Sequence, residues 1–121
     1  MRKRRPNKYG AIKTTVDGHK FDSKAEARRY TELVLFEKAG HIIHLSVHPR
    51  YMIHDEFTDG NDKVWRPIMY EPDFYYLERT QDGEWETVAE DVKGKRTAVF
   101  RIKEKMFRKR YPHIDLRILE V

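Results

Sequence analysis

The stretch from residue 70 to residue 93 constrains the fold more than any other part of this chain. Two apolar, aromatic-rich runs lie on either side of a short polar connection that contains Asp82 and Gly83. Runs of this kind, separated by turn residues, are typical of an antiparallel β-hairpin. We therefore expect two paired strands here, with the rest of the chain packed around them.

The residues that could bind a metal or take part in catalysis lie at the start of the first strand and at the end of the second. Side chains alternate across a strand, so Asp91 and Lys93 should project from one face and Val92 from the other. Asp73 follows Pro72, which cannot donate to a sheet ladder and often marks the beginning of a strand. If the strands pair, two carboxylates and one ammonium group converge on one patch. That arrangement predicts a divalent-metal site with a cation beside it.

Length and composition narrow the classes of protein that fit. The 121 residues correspond to one domain with a modest core. The absence of cysteine excludes a disulfide framework and thiolate ligation of zinc. No apolar run approaches the length of a membrane span, and no apolar signal-peptide core follows the basic N-terminus. The expectation is a cytoplasmic protein without a membrane partner.

The distribution of charge says more than the net charge of +5. Residues 1–13 form a basic arm without hydrophobic periodicity, which we expect to be flexible and to precede a single domain over residues 14–121. Residues 51–91 hold twelve acidic and three basic side chains, and residues 93–117 hold ten basic and two acidic ones. Acids flanked by basic segments suit a protein that grips a phosphate backbone and performs metal chemistry on it; a solvated, salt-bridged surface is the alternative.

Periodicity and capping residues predict the remaining elements. The apolar stripe of the second helix is expected to comprise Val99, Ile102 and Met106, with Phe107 as a further candidate. In chain order we expect a hairpin over residues 14–21, a helix over 23–39, strand-like segments over 41–57 and 64–70, the hairpin described above, a helix over 97–110 and a strand over 114–119.

Glu26 has two interpretations. It lies in the first turn of the first predicted helix, close to the edge that should be buried. The spacing Ser23-x-x-Glu26 is that of a capping box, in which Glu26 bonds back to the Ser23 backbone. The alternative is a role in the same site as Asp73 and Asp91.

A cluster of histidines raises the question of a zinc site. Their spacing fits neither one strand face nor one helical face, and no cysteine accompanies them. We therefore expect surface or strand-edge histidines. The residues concerned are His41, His44, His48 and His54.

The ordered set of motifs resembles the PD-(D/E)XK nuclease superfamily, whose common core is a helix, three strands, a helix and a strand. Pro72-Asp73 matches the leading Pro-Asp of that superfamily, Asp91-x-Lys93 matches its Asp/Glu-x-Lys, and Glu26 matches an acidic residue that many members carry on the first helix. More closely, the chain looks like a family of small phage-encoded proteins of this superfamily. The shared segments are Lys-Tyr-Gly-Ala near the start, Phe-Asp-Ser-Lys-Ala-Glu-Ala at the helix and Glu-Asp-Val-Lys-Gly.

The resemblance implies a set of site residues. Asp73 and Asp91 would hold Mg²⁺ or Mn²⁺, with the backbone carbonyl of Val92 as a further ligand. Glu26 would bind the metal directly, through water, or at a second metal. Lys93 would orient or help to deprotonate the attacking water. Glu90 precedes Asp91 and should point to the opposite face of the strand. It would serve as a ligand only if a bulge placed its side chain on the face expected for Asp91.

The resemblance also implies fold, activity and partners. The fold would be α/β, with a restriction-endonuclease-like core and a mixed central sheet. The activity would be that of a metal-dependent endonuclease on DNA, including branched and replication or recombination intermediates, in the host cytoplasm if the protein is phage-encoded. A homodimer is reasonable because cutting two strands needs two active centres. The alternatives are a nucleic-acid-binding accessory factor with the same fold and a protein-interaction module. The basic residues expected to contact nucleic acid are Arg2, Lys3, Arg4, Arg5, Lys8, Lys95, Arg96, Arg101, Lys103 and Lys105.

Overall fold

The computed structural model describes residues 13–121, which form an α/β fold with two helices and a mixed central sheet. The basic residues at positions 2, 3, 4, 5 and 8 of the predicted arm lie outside the described range. The elements, in chain order, are β1 (Thr14–Val16), β2 (His19–Phe21), α1 (Lys24–Lys38), β3 (Ile42–Val47), β4 (Tyr51–His54), β5 (Phe57–Thr58), β6 (Val64–Trp65), β7 (Ile68–Tyr70), β8 (Phe74–Arg79), β9 (Trp85–Lys93), α2 (Ala98–Arg110) and β10 (Asp115–Glu120).

The central sheet has four strands in the order β10-β9-β8-β3. β8 pairs antiparallel with both β3 and β9, whereas β9 and β10 are parallel. Parallel neighbours need a crossover connection, and α2 provides it. The expected α/β class with a mixed sheet is therefore confirmed. Six short strands, β1, β2 and β4 to β7, lie outside this sheet. The remaining elements follow in the order helix, three strands, helix, strand.

The first hairpin leads directly into α1. Asp17 and Gly18 both have positive φ, 51° and 80°, as a two-residue type I′ turn requires. Ser23 caps α1, because its hydroxyl oxygen accepts the backbone N–H of Glu26 at 3.1 Å. The Glu26 carboxylate does reach back, but it accepts from the N–H of Asp22 at 3.2 Å and not from Ser23.

A two-part arm is inserted between β3 and β8. Its base is the antiparallel pair β4-β7, and its tip is the pair β5-β6. The single strand expected over residues 64–70 is interrupted near Pro67, which has no N–H to donate. The base of the arm is fastened to α2, because the Tyr111 hydroxyl donates to the Met52 carbonyl at 2.8 Å and Arg110 bonds Asp55 at 2.7 Å.

Two apolar clusters cover opposite faces of the sheet. Adjacent β9 residues divide between them, because Val88 packs on the α1 side and Ala89 on the α2 side. No helix within residues 13–121 is long and apolar enough to cross a membrane. The α1-side cluster contains Phe21, Ala27, Tyr30, Leu33, Ile42, Phe74, Tyr76, Val88 and Val92; the α2-side cluster contains Ile53, Tyr70, Ala89, Phe100, Phe107 and Leu116.

The buried face of α2 differs from the expected stripe. Val99 and Ile102 are 64% and 61% exposed, whereas Phe100 and Phe107 are buried and Met106 is partly buried. Two aromatic rings seven residues apart lie on one helix face and bury more apolar area than the β-branched pair does. The helix is therefore rotated so that Phe100, which lies outside the predicted apolar stripe, faces the core.

Candidate metal centre

Carboxylates from three separate elements meet at one end of the central sheet. Glu26 comes from the first turn of α1, Asp73 immediately precedes β8, and Asp91 lies in β9. Their exposed fractions are 9%, 8% and 2%. Electrostatic interactions link Asp73 to both of the other acids. The three acids selected from the sequence are therefore brought together in a nearly dry location.

Asp73 is fixed by its backbone and by its side chain. Its N–H donates to the Glu90 carbonyl at 3.0 Å, and its carbonyl accepts the N–H of His48 at 2.8 Å. One carboxylate oxygen accepts the N–H of Val92 at 2.7 Å. A strand residue directs its N–H and C=O toward the same neighbouring strand, so the Val92 carbonyl faces the Asp73 side as well. Asp73 thus links the end of β3 to the end of β9.

Asp91 has a hydroxyl and an ammonium group as neighbours. The Tyr70 hydroxyl donates to Asp91 Oδ2 at 2.5 Å, and Lys93 Nζ lies 3.5 Å from the same oxygen. The Lys93 ammonium also lies 4.7 Å from the centroid of the Phe100 ring, a cation–π contact that restricts where the side chain points. Asp91 and Lys93 therefore share a face, as strand alternation predicts. Tyr70 was not selected from the sequence, because a tyrosine in an aromatic-rich strand carries no distinguishing signal.

His48 is the fourth member of the site. One ligand atom each from Glu26, His48 and Asp73 all lie within 4.8 Å of one another. The His48 ring packs against the buried Phe21 ring at a centroid distance of 5.9 Å. The expected position was the surface or a strand edge; His48 follows the edge strand β3 directly and is half-buried beside the carboxylates.

Backbone irregularity is the reason that the spacing of the histidines does not predict which face each of them occupies. His44 and His48 both have left-handed φ angles, 58° and 54°, and the pairing of β3 with β8 shifts register between Ile43 and Ser46. A bulge inserts an extra residue and breaks the alternation of side chains. Counting positions from His44 to His48 therefore cannot tell which face His48 occupies.

Burial and mutual repulsion shape the electrostatics of the site. Burial raises the pKa of Asp73 above its ordinary value, and repulsion from Asp91 and Glu26 raises it further, although the N–H of Val92 opposes this. Burial also raises the pKa of Glu26. Ionised carboxylates that lose water need a compensating charge, and a divalent cation held by oxygen ligands supplies it. The donor set of this site fits Mg²⁺ or Mn²⁺.

Glu90 lies on the other face of β9 and has its own partners. It is fully buried, and its two carboxylate oxygens accept from Arg29 at 2.6 and 3.0 Å. The Tyr76 hydroxyl donates to it at 2.6 Å. This bidentate pair neutralises Glu90 on the face opposite the candidate metal centre, so the geometry does not support Glu90 as a metal ligand.

A groove opens beside Lys93, between the arm and the N-terminus of α2. Its volume is about 690 Å³. Tyr70 and Lys93 belong both to the groove and to the carboxylate site, so the two are contiguous. The wall also includes the basic residues Arg50 and Lys103. The full lining comprises Arg50, Pro67, Ile68, Met69, Tyr70, Glu71, Lys93, Thr97, Val99, Phe100 and Lys103.

The other described residues proposed for nucleic-acid contact lie at the surface in or before α2. Arg96 forms an ion pair with Glu120 at 2.9 Å. Lys95, Arg101 and Lys105 are exposed. Within the described residues, Lys103 is therefore the predicted contact that lines the groove.

Fold and site together define an α/β protein that gathers three buried carboxylates and one imidazole at the end of a mixed sheet. The chain belongs to the family described as "Protein of unknown function (DUF1064)", whose family model matches residues 6–120. Comparisons with the curated proteins and with the solved structures returned no significant match.

Proposed function

We propose that this protein is a metal-dependent endonuclease that hydrolyses phosphodiester bonds in DNA and has a restriction-endonuclease-like core. The observation that carries the proposal is the convergence of Glu26, Asp73, Asp91 and Lys93 from α1, the start of β8 and β9. Structural ion pairs neutralise acids, but here three buried carboxylates face one another with one ammonium group at the rim. That is the arrangement expected of a cation site beside a reacting group.

The resident cation would be Mg²⁺ or Mn²⁺, held by Asp73 and Asp91 with Glu26 and the Val92 carbonyl as further ligands. When bound, such an ion offsets charge on the phosphoryl oxygens and makes a water molecule more acidic. Asp73 is well suited to hold it, because its orientation is already fixed by the N–H of Val92. Tyr70 holds Asp91 in the same way through its hydroxyl.

Lys93 lies where the substrate phosphate would enter. Its ammonium group is 3.5 Å from Asp91, its side chain is 31% exposed, and it lines the groove. From this position it orients the attacking water and donates to a phosphoryl oxygen, whose negative charge grows in the transition state. The ring of Phe100 lies beneath the Lys93 ammonium and restricts the orientations of this side chain, so less conformational freedom is lost when the substrate binds.

The groove provides a path along which a nucleic-acid strand would reach the carboxylate site. Arg50 and Lys103 stand on its walls together with Lys93, so successive phosphates can meet positive charge. Ile68 and Val99 are exposed and apolar, and they provide contact area for sugars or bases. The basic residues on the rest of α2 would add sequence-independent, salt-dependent attraction.

The test is calorimetric titration of Mg²⁺ and Mn²⁺, followed by cleavage assays on branched, single-stranded and duplex DNA. The wild type should bind metal and cleave, and the Asp73→Ala/Asp91→Ala variant should do neither. The matched control is Asp82→Ala/Glu84→Ala, which removes two exposed acids of the β8–β9 turn. If the wild type binds no metal, the titration is repeated with DNA present, since substrate phosphate can complete a site.

The outcomes separate the candidate functions. Metal-dependent cleavage that persists in Asp91→Ala or Lys93→Ala would refute the active-site assignment. Salt-sensitive DNA binding without cleavage would favour the accessory-factor alternative. Absence of both metal and DNA binding would leave the protein-interaction alternative.

A further inference from the structure

We propose that His48 contributes an imidazole nitrogen to the metal centre and makes this centre prefer Mn²⁺ over Mg²⁺. The inference rests on the metal site of the proposed function, but not on catalysis. It concerns a residue outside the Pro-Asp and Asp-x-Lys motifs, and it specifies the chemistry of the cation.

The geometry permits one ion to contact all three groups. Ligand atoms about 2.1 Å from a common cation lie roughly 3 to 4.2 Å from one another in an octahedral arrangement. Atoms of Glu26, His48 and Asp73 lie within 4.8 Å of one another. Atoms separated by at most 4.8 Å lie within about 2.8 Å of a common point, so an inward adjustment of up to about 0.7 Å at each side chain completes the set.

His48 is held in this position from two sides. The backbone N–H of His48 donates to the backbone carbonyl of Asp73 at 2.8 Å. This bond couples the end of β3 to a second member of the site. Its ring packs on Phe21, which is fully buried in the core. A ring held between the core and the carboxylates has little freedom to swing into solvent, so its nitrogen is pre-positioned.

The nitrogen is what discriminates between cations. Mg²⁺ prefers oxygen ligands and keeps much of its water. Mn²⁺ accepts the same oxygen ligands and, as a first-row transition ion, also accepts the imidazole nitrogen that suits iron, nickel, copper and zinc. Carboxylates with one imidazole and no thiolate still accept Mn²⁺, which tolerates both ligand types. A site with oxygen ligands alone would show little preference of this kind.

The experiment compares wild type with His48→Asn by calorimetry and by pulsed electron paramagnetic resonance of bound Mn²⁺. Asparagine tolerates the left-handed backbone at this position and replaces the ring nitrogen with an amide oxygen. The wild-type spectrum should show ¹⁴N coupling that changes on ¹⁵N-histidine labelling. In His48→Asn the coupling should vanish and Mn²⁺ affinity should fall about tenfold or more, while Mg²⁺ affinity changes less than about threefold.

The matched control is His44→Asn, because His44 is exposed and has the same left-handed backbone. That variant should behave as wild type. Thermal unfolding in chelator checks that His48→Asn is folded. Metal binding that requires Asp73 and Asp91 but shows no nitrogen coupling would overturn the inference and leave the proposed function intact. Absence of metal binding in the wild type, with and without DNA, would overturn both.

Discussion

Replacing Asp73 with Asn removes one ionisable group from a place where three carboxylates share little water. Asparagine has nearly the same shape, and its side-chain oxygen can still accept the N–H of Val92, which lies 2.7 Å from Asp73. The change therefore deletes the charge without deleting the packing. We expect the variant to be more stable than the wild type in the absence of metal, and to lose the stabilisation that metal provides.

The magnitude follows from the displaced pKa. Burial and then repulsion from Asp91 and Glu26 raise the pKa of Asp73 from 3.8 to about 9. Holding a proton at pH 7 on an acid with an unfolded pKa near 3.8 costs about 4 kcal/mol, at about 1.4 kcal/mol per pH unit. Because interacting acids titrate together, we expect Asp73→Asn to gain about half of this, about 2 kcal/mol, at that pH.

The sign of the pH dependence is fixed by the direction of the shift. A carboxyl whose pKa is raised on folding binds more protons in the folded state than in the unfolded state between the two pKa values. The contribution of Asp73 to wild-type stability therefore falls as pH rises from about 4 toward 9. In Asp73→Asn this contribution is absent, so the two proteins should be similar near pH 4 and should diverge toward pH 8.

Urea unfolding in chelator at pH 5 and pH 8, repeated with Mn²⁺, measures these differences. Asp82→Asn, in the exposed β8–β9 turn, is the matched control and should leave stability within about 0.5 kcal/mol of wild type. The reasoning is refuted if Asp73→Asn is less stable than wild type at pH 8 without metal. It is also refuted if Mn²⁺ stabilises both proteins equally.

Three further predictions concern other parts of the molecule. Arg29→Met leaves the Glu90 carboxylate buried without a cationic partner and should cost about 3 to 5 kcal/mol in urea unfolding, part of which Glu90→Gln should restore. Phe100→Ala should cost about 3 to 5 kcal/mol, whereas Val99→Ser, on the exposed face of the same helix, should change stability by less than about 0.5 kcal/mol. Lys93→Ala should keep Mn²⁺ affinity within about threefold in calorimetry yet lower the cleavage rate by about 100-fold or more.

Local signals were enough to predict most of the fold. Turn residues and alternating apolar runs predict the β8–β9 hairpin, Ser23 caps α1 as expected, and α2 lies within the range that its pattern predicts. The same alternation places Asp91 and Lys93 on one face and Glu90 on the other. The motif spacing predicts three acids that the structure does bring together.

The remaining features depend on tertiary packing. The face of α2 that is buried depends on the apolar surface of the sheet and the arm against which it packs. Two phenylalanines are buried there, whereas Val99 and Ile102 are exposed. The position of His48 depends on a bulge and on its left-handed backbone angle. Such an angle is not predictable from the sequence at a position that is not glycine. The contact of Tyr70 with Asp91 joins the inserted arm to β9, across 21 positions of sequence.

The neighbours Glu90 and Asp91 differ only by a methylene, yet one is enclosed by Arg29 and the other faces the carboxylate site. A single inserted residue within β9 would exchange them, because alternation has a period of two. The same insertion in the turn at residues 80–84 would leave both acids in place. Across the family, natural length variation should therefore collect in that turn, while β9 keeps a constant length from Trp85 to Lys93.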